Sequence, residues 1–463
     1  MTLDTIHWQK RLDELCDKHH VPGATLAVLH NDAISAFASG VVNVESGVET
    51  TTDSIFQIGS VSKVYTATMI MQLVDEGKLA LDEPVVTYLP DFKVADAELT
   101  KTVTVRHLLN HTSGIDGDLF LDLGRGDDVV EKYVEAMADL PKMAPLGTLM
   151  SYCNSGFVLS GRLIEVLTDS VWDAALAARL SAPLGLTHTG TLPEEAIRYR
   201  AAFGHIVDPE TKVATLAPAW QLPRPMGPAG LINSTATDVV RFAKLHMDSG
   251  LAHDGARILS ESSAAAMRQP EIVIPEPDTL GTHWGLGWIL FGQWLKADGT
   301  SAQVYGHDGN TIGQSAFLRI APEAGLAVCL MVNGGASRSL YLELYRELFA
   351  ELAEIVVPAN PEPVETAVNT SEYLGTYERH GMRIEVSDAD GALTMAVFET
   401  GELKETTDAP LYTLALKPTA LEHQFVMLIP GTNDYTPLSF VRLEETGTQY
   451  LHFGVRATPK VSA

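Results

Sequence analysis

A serine and a lysine three positions apart stand at the start of an apolar stretch of the chain. They are Ser60 and Lys63 in Gly59-Ser60-Val61-Ser62-Lys63, and the apolar run from 64 to 74 stops before Gly77. Residues i and i+3 share one face of a helix, so the hydroxyl and the amine would point into the same space. A lysine whose pKa is lowered by burial can activate a serine nucleophile. The helix start would also offer the Ser60 N–H to a developing oxyanion.

A tyrosine and an asparagine follow in a second short segment, Ser151-Tyr152-Cys153-Asn154. The Tyr152 phenol can shuttle a proton if it is held in a strong hydrogen bond by Lys63, and Asn154 can donate to a substrate carbonyl. Taken alone, the segment equally fits a buried tyrosine followed by a helix N-cap.

A third segment, Gly306-His307-Asp308-Gly309-Asn310, lies between two strand-like runs. Gly309 would let the backbone come close to a ligand, and the N–H of Asn310 could complete an oxyanion hole. Taken alone, this segment is a turn that contains a histidine.

Composition limits the classes of partner. The 463 residues carry a formal net charge of −27, which argues against nucleic acid or an anionic membrane as a partner. No apolar run is long enough to span a bilayer, and the first residues lack the features of a secretory signal, so we expect a cytoplasmic protein. The three cysteines are far apart and predict no disulfide framework.

No cofactor or metal site is expected. His107 and His111 have the i, i+4 spacing that can bind zinc on a helix. However, Leu108 stands where a zinc protease would have its glutamate, and no third ligand is evident. Capping or helix contacts explain the two histidines better.

The order of elements predicts an α/β fold with an antiparallel sheet flanked by helices and a mainly helical insertion. A helix over 8–19 precedes strands over 24–29 and 33–41, and helical patterns dominate from 79 to 265. Strand patterns then return, and a closing helix is expected over 339–355. These strands lie at 284–290, 313–320 and 326–332.

A Pro-rich segment, 357–363, predicts the domain boundary. Short alternating runs separated by turns follow it, which favours a small antiparallel β-barrel or sandwich. We therefore expect a first domain over 1–357 and a second over 366–463. The predicted barrel strands include 373–377, 383–386, 393–398 and 425–429.

In combination, the three motifs resemble the serine β-lactamase and penicillin-binding-protein superfamily, which has S-x-x-K, Y-x-N and K/H-x-G in this order. The gaps between them are 89 and 153 residues, which suit the low-molecular-mass branch. The resemblance covers roughly residues 10–355 and extends to the segments at 104–115, 228–235 and 284–288. The tail, with Leu374-Gly375-Thr376-Tyr377-Glu378, is similar to the lipocalin-like barrel fused to esterase and peptidase members of the family.

The resemblance implies a role for each motif residue. Ser60 would attack an acyl carbon while Lys63 and Tyr152 manage the proton. Asn154 would position the acyl amide, and the N–H groups of Ser60 and Asn310 would hold the oxyanion.

A histidine replaces the lysine that many members carry in the third motif. His307 removes a permanent cation that would bind a substrate carboxylate, unless Arg241 or Arg338 lies close enough to replace it. An imidazole suits esterases and D-amino-acid peptidases better than true β-lactamases.

Three functions remain open. The first is a serine hydrolase that acts through an acyl-enzyme on an ester, amide or peptide, including D-residues, with a small molecule or a peptide as acyl donor. The second is a penicillin-binding-protein-type thioesterase that releases and cyclises nonribosomal peptides from a carrier-bound thioester, with Arg456 meeting a peptide carboxylate. The third is a non-catalytic penicillin-binding sensor.

Overall fold

The computed structural model describes residues 3–389, 391–400, 409–429 and 434–462. Twelve α-helices lie within these residues. Most of these helices fall between residues 62 and 266, in agreement with the predicted helical insertion. In chain order the helices of the described residues are α1 (Thr5–Lys18), α2 (Ser62–Asp75), α3 (Ala97–Thr102), α4 (Val105–Leu109), α5 (Val129–Ala136), α6 (Asn154–Thr168), α7 (Trp172–Leu176), α8 (Pro193–Ala196), α9 (Gly227–Gly230), α10 (Ala236–Met247), α11 (Glu261–Ala266) and α12 (Ser337–Ala353).

Fifteen strands precede the Pro-rich segment in the described chain, and nine of them form one antiparallel sheet. The strands are β1 (Gly23–His30), β2 (Ala33–Asn43), β3 (Val48–Glu49), β4 (Phe56–Gln57), β5 (His205–Val207), β6 (Ala214–Leu216), β7 (Asn233–Ser234), β8 (Ile272–Val273), β9 (His283–Trp284), β10 (Ile289–Leu290), β11 (Leu295–Lys296), β12 (Tyr305–Asn310), β13 (Ser315–Ala321), β14 (Leu326–Val332) and β15 (Ile355–Val356). The order in the large sheet is β3-β2-β1-β14-β13-β12-β10-β9-β8. The sheet therefore joins both ends of this part of the chain.

The position of the central strands explains why their sequences are apolar throughout. Every residue of β14 is buried, and so is every residue of β1 before His30, because helices cover both faces of the sheet. Helix α2 is also buried on nearly all sides. The fold class predicted from the sequence is confirmed.

Two predicted elements differ from the structure. The run 284–290 is not one strand, because Gly287 turns the chain between β9 and β10 with a φ of +89°. The closing helix ends at Ala353 rather than 355, because Glu354 adopts a left-handed φ of +53° and β15 follows.

A second nine-stranded antiparallel sheet follows the Pro-rich segment and curves into a nearly closed barrel. Its strands are β16 (Gly375–Arg379), β17 (Met382–Ala389), β18 (Ala392–Glu399), β19 (Tyr412–Ala415), β20 (Lys417–Pro418), β21 (Gln424–Leu428), β22 (Tyr435–Arg442), β23 (Gln449–Phe453) and β24 (Arg456–Ser462). The order is β19-β18-β17-β16-β24-β23-β22-β21-β20. The barrel is filled by an apolar core of its own. This core includes Tyr377, Ile384, Met395, Leu438 and Leu451. The boundary between the two domains at 358–365 stays a prediction.

The hairpin between β23 and β24 touches the first part of the chain. Gly454 and Val455 both have positive φ and form a tight turn, consistent with a two-residue hairpin. The Val455 carbonyl accepts from Tyr152 N at 2.8 Å, and Ala457 N donates to Ser151 Oγ at 3.1 Å. The barrel is thus bonded directly to the second motif.

No helix in the described part of the chain is long and apolar enough to cross a membrane. All three cysteines are buried and free of disulfide bonds.

A buried histidine of the barrel also pairs with a buried glutamate in the loop between β8 and β9. His452 of β23 and Glu276 are both fully buried, and the His452 Nδ1 hydrogen-bonds to the carboxylate. The other ring nitrogen, Nε2, lies 3.0 Å from the carbonyl of Met150, two residues before Tyr152. Removing one member of such a pair leaves the other buried without its partner.

We expect His452→Ala to lower the free energy of unfolding by about 3–5 kcal/mol, because Glu276 would remain buried without its partner. Urea unfolding followed by circular dichroism measures the change, with His253→Ala, at an exposed position, as the control. A loss below about 1 kcal/mol would show that the pair does not stabilise the joined state.

Candidate active site

The turn that carries Ser60 is held in place from two sides. Residues Gly59–Val61 form one turn of 3-10 helix before α2, and Gly59 has a φ of +51°. The hydroxyl of Ser62 donates to the Gly59 carbonyl at 2.7 Å and accepts from Ile232 N at 3.0 Å. Ser60 itself faces a cavity of about 400 Å³.

Lys63 lies directly behind Ser60 and is fully buried. Its Nζ is 3.0 Å from Ser60 Oγ and donates to the Ala229 carbonyl of α9 at 2.7 Å. Burial lowers the pKa of Lys63 well below its usual value, and the charge of Arg456 lowers it further, whereas Asp118 opposes the shift. A deprotonated amine at this position can accept the Ser60 proton.

Tyr152 covers the other side of Lys63. The lysine Nζ is 4.7 Å from the centre of the tyrosine ring, and the guanidinium of Arg456 lies 5.2 Å from the same ring. Burial raises the pKa of the Tyr152 hydroxyl, and a hydrogen bond with Ser60 opposes that rise. The ring stacks on His111 with a centroid distance of 4.4 Å.

Asn154 is the first residue of α6, and a carboxylate holds its side chain. Asn154 Nδ2 donates to Asp118 Oδ1 at 3.2 Å. Arg456 contacts both oxygens of Asp118, at 2.5 and 2.9 Å, and Arg379 donates to Oδ2 at 2.8 Å. The two arginines belong to the barrel, whereas Asp118 and Asn154 lie in a loop and a helix of the first part of the chain, so this cluster joins the two parts.

The end of strand β12 forms the opposite edge of the cavity. A Cβ added at Gly309 would lie 1.9 Å from the Ile58 carbonyl oxygen and 2.9 Å from Ser60 N. A Cβ at Gly59 would lie 2.6 Å from Asn310 N. The backbones around Ser60 and Asn310 are therefore in direct contact, which brings their N–H groups to the same region of the cavity.

His307 is buried beside this edge and is neutral. Its Nδ1 donates to the Asp308 carbonyl at 2.6 Å, which leaves the lone pair on Nε2. Burial and the charge of Lys63 lower the pKa of His307 to about 3. Within the described residues, Nε2 has no hydrogen-bond partner. The Asp308 carboxylate pairs with buried Arg319 at 2.5 Å.

The structure brings the sequence-predicted residues together at one cavity. Lys63 lies behind Ser60, and Gly309 lies behind the edge formed by Asn310. The predicted residues that line the cavity are Ser60, Tyr152, Asn154, His307, Asn310 and Arg456. Of the two arginines considered as replacement cations, Arg338 lines the cavity, whereas Arg241 pairs with Asp238 and lines a separate cavity.

Sequence reasoning missed Asp118 and Arg379, which belong to no motif and lie 261 positions apart. The two histidines with zinc-like spacing have other partners. His107 Nδ1 lies 2.8 Å from the Thr104 hydroxyl, and His111 Nδ1 accepts from Cys153 N at 3.0 Å. Among the described residues there is no group of three or more side chains that could hold a metal ion.

A cavity-facing serine in contact with a buried lysine beside an antiparallel sheet, with a tyrosine and a third motif around the same cavity, is the arrangement of serine hydrolases with the β-lactamase fold. Comparison with known proteins agrees with this class. Residues 8–351 match the family model described as Beta-lactamase, and the chain belongs to this family.

The matches to similar proteins cover most of the chain. This chain is 49% identical over 395 residues to penicillin-binding protein 4 of Amycolatopsis lactamdurans. The match covers 82% of this chain and 99% of that protein. The crystal structure of SurE has 30% identity and a TM-score of 0.77 and covers 99% of both chains, and SurE has also been solved with D-Leu. A D-amino acid amidase from Ochrobactrum anthropi SV3, in complex with L-phenylalanine, has 26% identity and a TM-score of 0.58 and covers 72% of this chain and 92% of its own.

We expect Gly309→Ala to slow acylation by about 10²–10³-fold, the usual loss when one oxyanion donor is displaced. The added methyl would force β12 away from the turn that carries Ser60. The rate of labelling by a fluorophosphonate measures acylation, and a thermal melt checks the fold.

Gly156→Ala is the matched control, because a Cβ there would meet its nearest atom, Cys153 Sγ, at an ordinary 3.5 Å. A labelling rate for Gly309→Ala within threefold of the parent would show that this contact does not set the oxyanion site.

Proposed function

We propose that this protein is a serine hydrolase that forms an acyl-enzyme on Ser60 and acts on an ester or amide whose acyl part carries a D-residue. The observation that carries the proposal is the 3.0 Å contact between Ser60 Oγ and the fully buried Lys63 Nζ. The family supports hydrolase chemistry in general, while the residues and the substrate class are our assignment.

Acylation begins when the neutral Lys63 amine removes the Ser60 proton as Oγ attacks the substrate carbonyl carbon. The carbonyl oxygen becomes an oxyanion between the N–H groups of Ser60 and Asn310. The C–O or C–N bond to the leaving group then breaks, and Lys63 returns the proton it took from Ser60 to that group through the Tyr152 hydroxyl. Water attacks the resulting ester by the reverse set of proton transfers.

Asn154 and His307 act on the substrate rather than on the nucleophile. The amide of Asn154 lines the cavity and can bond the acyl amide of a peptide-like donor. His307 offers an unprotonated Nε2 and no positive charge. A substrate that depends on a cation in the third motif therefore gains little from this position.

The D-configuration is inferred from the relatives. SurE, which is similar to this chain over its whole length, has been solved with D-Leu, and another relative is a D-amino acid amidase. Because both proteins share the fold of this chain, a D-residue is the first acyl group to test.

A second candidate is a penicillin-binding-protein-type thioesterase that passes a peptidyl group from a carrier-bound thioester to an amine. One observation favours it: Arg456 of the barrel lines the cavity and can meet a peptide carboxylate. The partition of the acyl-enzyme between water and an added amine separates the two candidates. A product dominated by the amide at millimolar amine favours the transferase.

Covalent labelling tests the nucleophile. We expect a fluorophosphonate to add one label to the parent protein and none to Ser60→Ala, because the Ser60 hydroxyl is the atom that Lys63 activates. Intact-protein mass spectrometry measures the label, with Ser46→Ala, at an exposed position, as the control. Labelling that survives Ser60→Ala contradicts the assignment, and labelling without turnover of any ester or amide favours the penicillin-binding sensor.

Substrate comparison tests the neutral third motif. Without a cation in the third motif, the site lacks a charge-assisted hydrogen bond to a substrate carboxylate, which would contribute about 1.5–3 kcal/mol. This free energy corresponds to a change of about ten- to a hundredfold in the acylation rate. We therefore expect kcat/KM for nitrocefin to be lower than for p-nitrophenyl butyrate and for D-Phe p-nitroanilide. L-Phe p-nitroanilide controls for configuration.

The ranking is contradicted if nitrocefin is turned over faster than both the ester and the D-anilide. An Arg338→Met variant then identifies the source of the cation. A selective loss of nitrocefin turnover in that variant would trace the positive charge to α12 rather than to the third motif.

A further inference from the structure

Asp118 lies between the barrel and the proposed catalytic residues, although it belongs to no motif. It accepts one hydrogen bond from Asn154, two from Arg456 and one from Arg379. Its side chain is only 13% exposed. One carboxylate therefore bonds a residue of the second motif on one side and two strands of the barrel on the other.

The charges of the cluster decide what this carboxylate can do. The barrel arginines and the Asn154 amide outweigh the effect of burial and lower the pKa of Asp118 to about 2. An ionised carboxylate only accepts hydrogen bonds. It therefore selects the NH₂ end of the Asn154 amide and turns the amide oxygen away from itself.

Without the barrel arginines, the burial of the Asp118 carboxylate would cost free energy. A partly buried carboxylate needs charged or hydrogen-bonding partners, and two of those of Asp118 come from β16 and β24. The loop that carries Asp118 makes a second bond to the barrel nearby, where Asp116 accepts from His380 N at 2.9 Å. The orientation of Asn154 is thus tied to the docked position of the barrel.

We propose that Asp118 is a positioning residue that fixes the Asn154 amide for acylation, and that it does so only while Arg379 and Arg456 of the barrel are docked on it. The proposal rests on the proposed function, since it assigns the barrel a part in the reaction at Ser60. It makes the barrel a required component of the active site.

A purely structural ion pair would stabilise the interface without acting through Asn154. A double-mutant cycle separates the two roles, because residues that act through one contact give non-additive losses. We expect Asp118→Asn to lower kcat/KM for the D-anilide by about 10- to 100-fold, the effect of a misplaced positioning group. The double variant Asp118→Asn with Asn154→Ala should then be no slower than Asn154→Ala alone.

The pH profile gives a second readout, which is the effect of the cluster's charges on Lys63. The groups that face Lys63 are Arg456, Asp118, Cys153, His111, His307 and Tyr152. Because acylation needs the neutral amine, the rate rises with pH through the pKa of Lys63. Removing the negative charge in Asp118→Asn should move this acidic limb to lower pH, and removing the positive charge in Arg456→Met should move it to higher pH.

Arg379→Met is a second variant that keeps Asp118 and Arg456 and removes one contact to Oδ2. We expect a smaller loss of kcat/KM, with KM changed less than kcat. Arg442→Met, at an exposed barrel position, is the matched control and should leave both values unchanged.

Additive losses in the double-mutant cycle overturn the proposal. It is also overturned if the acidic limbs of the two variants move in the same direction, or if kcat/KM for Asp118→Asn stays within threefold of the parent. If Asp118→Asn fails to fold, the cycle between Arg379→Met and Asn154→Ala gives the same decision. Absence of Ser60 labelling in the parent protein defeats the proposed function and this proposal together. Labelling of Ser60 with an additive cycle defeats this proposal alone.

Discussion

The burial of one amine places the strongest constraint on the rest of the site. An ammonium group taken out of water loses several kcal/mol of hydration, so Lys63 releases its proton far more readily than a surface lysine. The same burial requires that its remaining hydrogen bonds be made inside the protein. Ser60 Oγ and the Ala229 carbonyl serve this purpose, and α9 is placed against α2 where it can supply the second.

The barrel contributes to this burial from outside the sheet that carries the motifs. The hairpin at Gly454 and Val455 bonds the backbone of Tyr152, and the next residue, Arg456, lies over the tyrosine ring. A positive charge at that position disfavours a second positive charge on Lys63. The barrel therefore affects the base electrostatically as well as by covering the tyrosine beside it.

Much of the site was predictable from sequence because its chemistry lies in short local patterns. The i, i+3 spacing puts Ser60 and Lys63 on one helix face, and the glycine before Asn310 marks the close approach of two backbones. The run at 284–290 predicts one strand, whereas the structure has two, because Gly287 turns the chain within the apolar pattern. Asp118 and Arg379 could not be found, since a pair 261 positions apart leaves no periodicity and neither residue type is unusual for a surface.

The distribution of positive charge in the cleft differs from what the motifs alone suggest. His307 is neutral, yet Arg338 from α12 and Arg456 from β24 both line the cavity of a chain whose net charge is −27. Arg456 is compensated by Asp118, whereas Arg338 donates to the carbonyl of Asp278 and forms no ion pair within the described residues. A carbonyl does not cancel a charge, so Arg338 keeps a positive charge at the cavity wall that a substrate carboxylate could pair with.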